Sequence, residues 1–277
     1  MNVKNILSIQ SHVTYGYVGN RVATFILQRL GFNVITINTV QFSNHTGYGT
    51  WKGDIFSTDH LMSLLDGLEH VGALQQCDAL LTGYLGSPDT ASVVYDAYHR
   101  IHAHKPQIMY ACDPVMGDVG RGLFVHKDIP TLFKEKITPL AHCLTPNLFE
   151  LEILAEQKIE TFDQLKEALL SIPTPVILVT SVNLPDMPKN EENASYIYMV
   201  MKHHNDFYTV SAPCLSFDIP PNGAGDAVSA LFLGYYLQTK DYTYAFMRTN
   251  ESMKHLFALT HSLKKRELAL IQAQDYF

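Results

Sequence analysis

Asn222, Gly223, Ala224, Gly225 and Asp226 stand in a row before an apolar stretch, residues 227–237, that reads as a buried helix. Two glycines flanking one small residue let consecutive backbone amides point at one spot, and a helix N-terminus adds a dipole of the same sign. Gly223, Ala224 and Gly225 thus suit an anion cradle, and Asp226 sets a carboxylate beside it. Phosphoryl transfer uses such a pair: amides meet the charge of the transferring group, and a carboxylate orients or deprotonates the attacking hydroxyl. A plain loop glycine followed by an ordinary helix-start acid accounts for these five residues equally well. Two other glycine loops fail on inspection. Val228 breaks the G-x-G-x-x-G dinucleotide fingerprint, and no G-x-x-x-x-G-K-[ST] occurs in the chain.

A second segment, Cys112-Asp113-Pro114-Val115-Met116-Gly117-Asp118, ends an apolar run with one carboxylate and adds another after a turn. Ligands of wound α/β sheets bind beyond the carboxyl ends of the strands, which puts Asp113 where a metal-bound phosphate would lie and Asp118 within reach through water. Magnesium keeps much of its water shell and takes only one or two carboxylates, so the sparseness suits it. Asp113 as a turn-initiating acid before Pro114 is as good a reading. In a third segment, Thr145-Pro146-Asn147-Leu148-Phe149-Glu150, Asn147 and Glu150 fit a helix capping box, and Glu150 equally fits holding metal-bound water. Near the N-terminus, Ser11 and His12 close an apolar run, and the polar, aromatic segment 40–49 follows the next one. There Val40 and Phe42 suit the faces of a flat heteroaromatic ring, while Ser11 and Thr46 suit its polar edge. A solvated loop with one or two packed aromatics is the plainer reading, and His45 reads first as a structural histidine.

These segments need a scaffold, and the sequence supplies a rhythm for one. Short apolar runs at 6–9, 34–38, 79–82, 107–112, 143–145 and 176–180 lack polar alternation, as expected of strands covered on both faces. Helical patterns at 23–30, 61–70, 88–102, 148–156 and 163–170 lie between them. The order predicts an α/β fold, a three-layer α/β/α sandwich with a mostly parallel central sheet. Residues 195–200 and 207–210, separated by the polar stretch 201–206, read as an antiparallel hairpin appended to it. Residues 181–193, with Pro185, Asp186, Pro188, Glu191 and Glu192, read as a loop that could act as a flap.

Composition narrows the classes further. The 277 residues are 47% hydrophobic and 17% charged, enough for a large core, and no repeat or linker divides them, so one domain over 1–277 is expected. A formal net charge of −7 without a basic stripe argues against nucleic acid as a partner. The longest near-apolar run falls short of the roughly 20 residues that span a bilayer. The N-terminus enters a strand pattern without a secretory signal, so no membrane and a cytoplasmic location are expected. Cys77, Cys112, Cys143 and Cys214 show no Cys-x-x-Cys spacing and read as reduced, mostly buried thiols.

Taken in order, the segments 8–20, 38–53, 82–86, 113–117, 145–152 and 223–226 resemble the pyridoxal kinases of the ribokinase superfamily over nearly the whole chain. The stretch 40–53 is the most specific part; Gly-Ala-Gly-Asp alone would point only to the superfamily. The resemblance implies a ribokinase-like fold and ATP-dependent phosphorylation of the 5′-hydroxymethyl group of pyridoxal. It makes Asp226 the catalytic base and Gly223 to Gly225 the anion hole. Ser11 and Thr46 would bind the pyridine ring, walled by Val40, Phe42 and Tyr84. Asp113, Asn147, Glu150, Thr180 and Ser181 would face ATP, with Phe217 and Asp218 on the adenine side. Mg²⁺ would lie near Asp113, Asp118, Thr145 and Glu150, with room for a monovalent cation, and a homodimer is implied. Two alternatives stand beside this: a kinase of another hydroxymethyl heterocycle such as hydroxymethylpyrimidine, and a non-catalytic binder of the same vitamers.

Overall fold

The computed structural model describes residues 3–187 and 195–277, so residues 188–193 of the expected flap lie outside the described residues. Strand β1 (Asn5–Val13) is followed by helix α1 (Asn20–Arg29) and β2 (Asn33–Phe42), and β1 pairs with β2 in parallel. This is a βαβ unit. Helix α2 (Thr58–His70) leads to β4 (Cys77–Thr82), and α3 (Thr90–His104) to β5 (Met109–Cys112). After the short helix α4 (Ile129–Leu132), β8 (Cys143–Leu144) precedes α5 (Leu148–Ala155), α6 (Phe162–Ser171) and β9 (Val176–Val182). The chain ends with the hairpin β10 (Tyr196–His203) and β11 (Asp206–Pro213), then α7 (Ala224–Thr239) and α8 (Tyr242–Ser262).

Among the described residues, nine strands form one sheet in the order β11-β10-β9-β8-β5-β4-β1-β2-β3, where β3 is Gly53–Ile55. The six central strands from β9 to β2 run parallel, while β3, β10 and β11 are antiparallel additions at the edges. Side chains alternate between two cores. Leu7, Ile9 and Leu80 pack under α2 and α3, whereas Ile6, Ala79 and Leu81 face α1, α7 and α8. Burial on both faces explains why these strands read as continuous apolar runs. A small hairpin of β6 (Gly117–Asp118) and β7 (Gly122–Leu123) lies outside the sheet.

One expectation shifts. The hairpin turn is confined to residues 204–205, because Met201, Lys202 and His203 continue β10. Lys202 is buried there, its ammonium donating to the carbonyls of Leu169 (2.8 Å) and Ile172 (2.7 Å) at the end of α6. Cys77, Cys112 and Cys143 are buried free thiols, and Cys214 is an exposed one.

Candidate active site

The winding reverses at β1, whose neighbours are β2 on one side and β4 on the other, and ligands of wound sheets bind at such a switch point. Beyond the carboxyl ends the ladder continues through single bonds: Gly83 N–H to Ile9 O, Asp113 N–H to Thr82 O, Thr145 N–H to Cys112 O and Thr180 N–H to Pro146 O. They hold the ends of β4, β5, β8 and β9 in one row.

Helix α7 starts above this row. Its N-cap, Gly223, has φ 87° and ψ 5°, and no side chain caps the helix. A Cβ at 223 would overlap the carbonyl oxygen of Tyr17, so only glycine lets the two loops meet. The amides of Ala224 and Gly225 therefore open a helix whose positive end carries no side-chain cap. Asp226 is partly buried in the first turn, outside both cores. The backbone N–H of Gly19 donates to its carboxylate, while burial pushes its pKa above the ordinary aspartate value. Gly19 adopts φ 54° and ψ −134°, and a Cβ there would overlap Ser11. Ser11, Gly19 and Asp226 are thus contiguous.

Asp113, only 3% exposed, lies under the glycine loop: a Cβ at Gly225 would stand 3.5 Å from its Oδ2. Burial raises its pKa well above the usual range, and the charges of Glu150 and Asp226 push the same way, against a hydrogen bond from Ser229. The Ser229 hydroxyl also stands 2.7 Å from Thr145 Oγ1 and donates to Gly225 O at 3.0 Å. Ser229 lies inside the apolar run 227–237 and belongs to none of the motifs of the sequence. Its spacing four residues after Gly225, which puts both on one helical face, is the signal that could have found it.

Glu150 and Asn147 form a full capping box: Asn147 Oδ1 accepts Glu150 N–H at 2.9 Å and Glu150 Oε2 accepts Asn147 N–H at 2.9 Å. Glu150 Oε1 also accepts Met116 N–H at 2.8 Å, and Asn147 Nδ2 donates to Gly117 O at 2.8 Å, which ties the segment after Asp113 to α5. Burial lifts Glu150 to a pKa of about 7 despite these amides, with Asp118 adding to the rise. Asn147 pairs with Thr180 in an isolated parallel bridge, and Ser181 next to it has φ 57°. Three neighbouring carboxyls whose pKa values burial raises suit a site that receives positive charge. Among the described residues no three His, Cys, Asp or Glu side chains form a protein metal cage.

On the other side, Thr39 Oγ1 donates to the carbonyl of Tyr84 and a Cβ at Gly86 would press on the fully buried Val40, so the 39–40 and 84–86 segments pack together. Phe42 leans on Trp51 at 6.4 Å between ring centroids. Thr46 opens a short 3₁₀ turn (Thr46–Tyr48), and a Cβ at the next residue, Gly47, would lie 3.5 Å from Asn222 Oδ1, beside the glycine loop. His45 accepts Gly47 N–H on Nδ1, and burial lowers its pKa, the behaviour of a structural histidine. Phe217 and Asp218 sit apart from this assembly. Phe217 packs edge-on against Phe257 and His261 of α8, and Asp218 is exposed.

A wound sheet with an uncapped glycine helix start and a first-turn aspartate over its switch point is the common plan of ribokinase-like small-molecule kinases. The sequence model of the phosphomethylpyrimidine kinase family matches residues 26–267. The chain is 45% identical over 281 residues to pyridoxal kinase PdxY of Deinococcus radiodurans, covering 99% of this chain and 93% of that one. It is 42% identical to the same enzyme of Corynebacterium diphtheriae, over 98% and 94% of the two chains. Pyridoxal kinase from Leishmania donovani in complex with ADP and pyridoxine superposes with a TM-score of 0.87 at 29% identity, over 98% of this chain and 94% of that one. The chain belongs to the pyridoxal kinase family within these ribokinase-like enzymes.

Proposed function

We propose that the chain transfers the γ-phosphoryl group of ATP to the 5′-hydroxymethyl oxygen of pyridoxal, giving pyridoxal 5′-phosphate and ADP. The observation that carries this is Asp226, fixed by Gly19 at the open start of α7 and flanked by both the Ser11 strand end and the Asp113 carboxyl. Asp226 takes the proton of the attacking hydroxyl as the oxygen–phosphorus bond forms and the bond to the β-phosphate bridging oxygen breaks. The amides of Gly223, Ala224 and Gly225 meet the charge on the equatorial oxygens. Ser11 and Thr46 hold the polar edge of the ring between Val40, Phe42 and Tyr84.

The nucleotide lies over Asp113, Asn147, Glu150, Thr180 and Ser181, with Phe217 and Asp218 towards the adenine. Mg²⁺ fits the Asp113 side, where Asp118, Thr145 and Glu150 would reach it directly or through water, and it neutralises phosphate charge when bound. The raised carboxyls support this, since a cation relieves their mutual repulsion. The whole of 1–277 acts as one kinase domain in a homodimer in the cytoplasm; among the described residues no helix is long and apolar enough to cross a membrane.

The test is ADP release by purified protein with ATP, Mg²⁺ and each of pyridoxal, pyridoxine and pyridoxamine. The matching phosphomethylpyrimidine kinase model keeps one rival substrate class in view, a hydroxymethyl heterocycle such as hydroxymethylpyrimidine. Turnover of that compound and not of pyridoxal would reassign the enzyme, and tight pyridoxal binding without ADP would make the chain a binder.

A further inference from the structure

Two residues just after α8, which no chemical motif marks, reach back to the loops of the site. Glu267 touches three of its segments. Its Oε1 accepts the Tyr48 hydroxyl at 2.6 Å, its Oε2 accepts Tyr17 N–H at 3.0 Å, and its backbone bridges Asn222, the residue before Gly223. Arg266 holds the same tyrosine from its face: the guanidinium carbon lies 3.5 Å from the Tyr48 ring centroid, and Nη2 donates to Gly47 O at 3.0 Å.

Bonds within the loop, Gly47 N–H to His45 Nδ1 at 3.1 Å and Asn44 Nδ2 to Thr50 O at 2.8 Å, set its local shape, and Tyr15 meets the Tyr48 ring edge-on. Gly47, Gly49 and Thr50 are exposed, and the 3₁₀ turn spans only Thr46–Tyr48. A charge-assisted hydroxyl–carboxylate bond and a cation stacked on the ring are the strong local contacts available. Burial and the neighbouring carboxylate raise the Tyr48 pKa, which keeps the phenol a donor.

We propose that Arg266 and Glu267 are positioning residues that clasp the Tyr48 loop to the Tyr17 and Asn222 segments, fixing Thr46 and Asp226 in register for the vitamer. The inference rests on the kinase reading above and adds the residues that set the affinity of the site for the ring substrate. Nucleotide binding, on the far side of Asp113, does not depend on the clasp.

The experiment uses Trp51, the chain's single tryptophan, which is 48% exposed and lies on this loop. Wild type, Tyr48→Phe, Glu267→Gln and the double variant are compared by acrylamide quenching of tryptophan emission and by the KM values for pyridoxal and ATP. Each single variant is expected to raise quenching and to raise KM for pyridoxal about tenfold, with KM for ATP unchanged within about twofold. The double variant should be no worse than the worse single, because both act on the same Tyr48–Glu267 bond, one deleting its donor and the other removing the charge that strengthens it. Unchanged quenching, additive losses, or equal changes in the two KM values accompanied by a lowered Tm would overturn the proposal. Should Glu267→Gln fail to fold, Tyr48→Phe, which deletes one oxygen, still decides it. If the wild type releases no ADP with pyridoxal, the kinase reading fails, while the quenching comparison still judges the clasp.

Discussion

The backbone N–H of Gly19 donates to the carboxylate of Asp226, which couples the turn between β1 and α1 to the first turn of α7. A main-chain donor cannot swing away as a side chain can, so the carboxylate is aimed before substrate arrives. Asp226→Asn keeps the shape and removes the proton acceptor. Its kcat should fall by a factor of roughly 10² to 10⁴, with ATP binding by calorimetry and Tm close to wild type. Retained turnover would strip Asp226 of the role of base.

The pH profile should carry the same signature. Burial raises the carboxyl of Asp226, and a base works only when ionised, so kcat/KM falls as pH drops through a value above the ordinary aspartate pKa of about 4. Asp226→Asn should lack that limb. Stability runs the other way. For Glu150, raised to about 7 in the fold, the native state holds its proton longer than the unfolded chain does. Thermal unfolding of the ligand-free protein should therefore show this contribution weakening as pH rises from about 4.5 towards 7. A profile without an acid limb above pH 4 in the wild type would contradict the environment assigned to Asp226.

Ser229 connects the two halves of the phosphoryl site, touching Thr145, the Gly225 carbonyl and the Asp113 carboxyl. Ser229→Ala removes a bond that favours ionised Asp113 and leaves the Thr145 hydroxyl without that partner. Apparent affinity for MgATP should fall about tenfold at pH 7 and more at lower pH, with KM for pyridoxal little changed. Titration of the variant with MgATP at two pH values checks this; an equal loss for both substrates would place Ser229 in packing alone.

The parallel strands were legible because each is buried on both faces, which leaves an unbroken apolar run such as 176–179. The edges were not. Strand β3 is three exposed residues paired to β2, with nothing in Gly53, Asp54 and Ile55 to mark a strand. Lys202 hid the true length of β10, since a charge suggests a turn unless the carbonyls of Leu169 and Ile172 are known to receive it. The site shows the same division. Residues whose type is itself chemical, such as Asp113 and Asp226, stood out in the sequence. Ser229 and Glu267 act through partners 84 and 250 positions away, and no local pattern encodes such a meeting.

Glu150 was readable both as a cap and as a holder of metal-bound water, and its contacts let the first part be measured separately. Oε1 accepts Met116 N–H at 2.8 Å and Gly117 N–H at 3.4 Å, and Oε2 accepts Asn147 N–H at 2.9 Å. A glutamine has one acceptor oxygen, so in either orientation its amide nitrogen meets a backbone N–H that needs an acceptor. Glu150→Gln should cost about 1–3 kcal/mol, a Tm drop of several degrees in a chain of this length. Asn147→Ala, which removes the reciprocal cap, should cost about 1 kcal/mol. If Glu150 also holds metal-bound water, its variant loses MgATP affinity beyond the loss seen in Asn147→Ala. Equal losses in the two variants, measured by nucleotide titration at matched folded fraction, would leave Glu150 as a cap and nothing more.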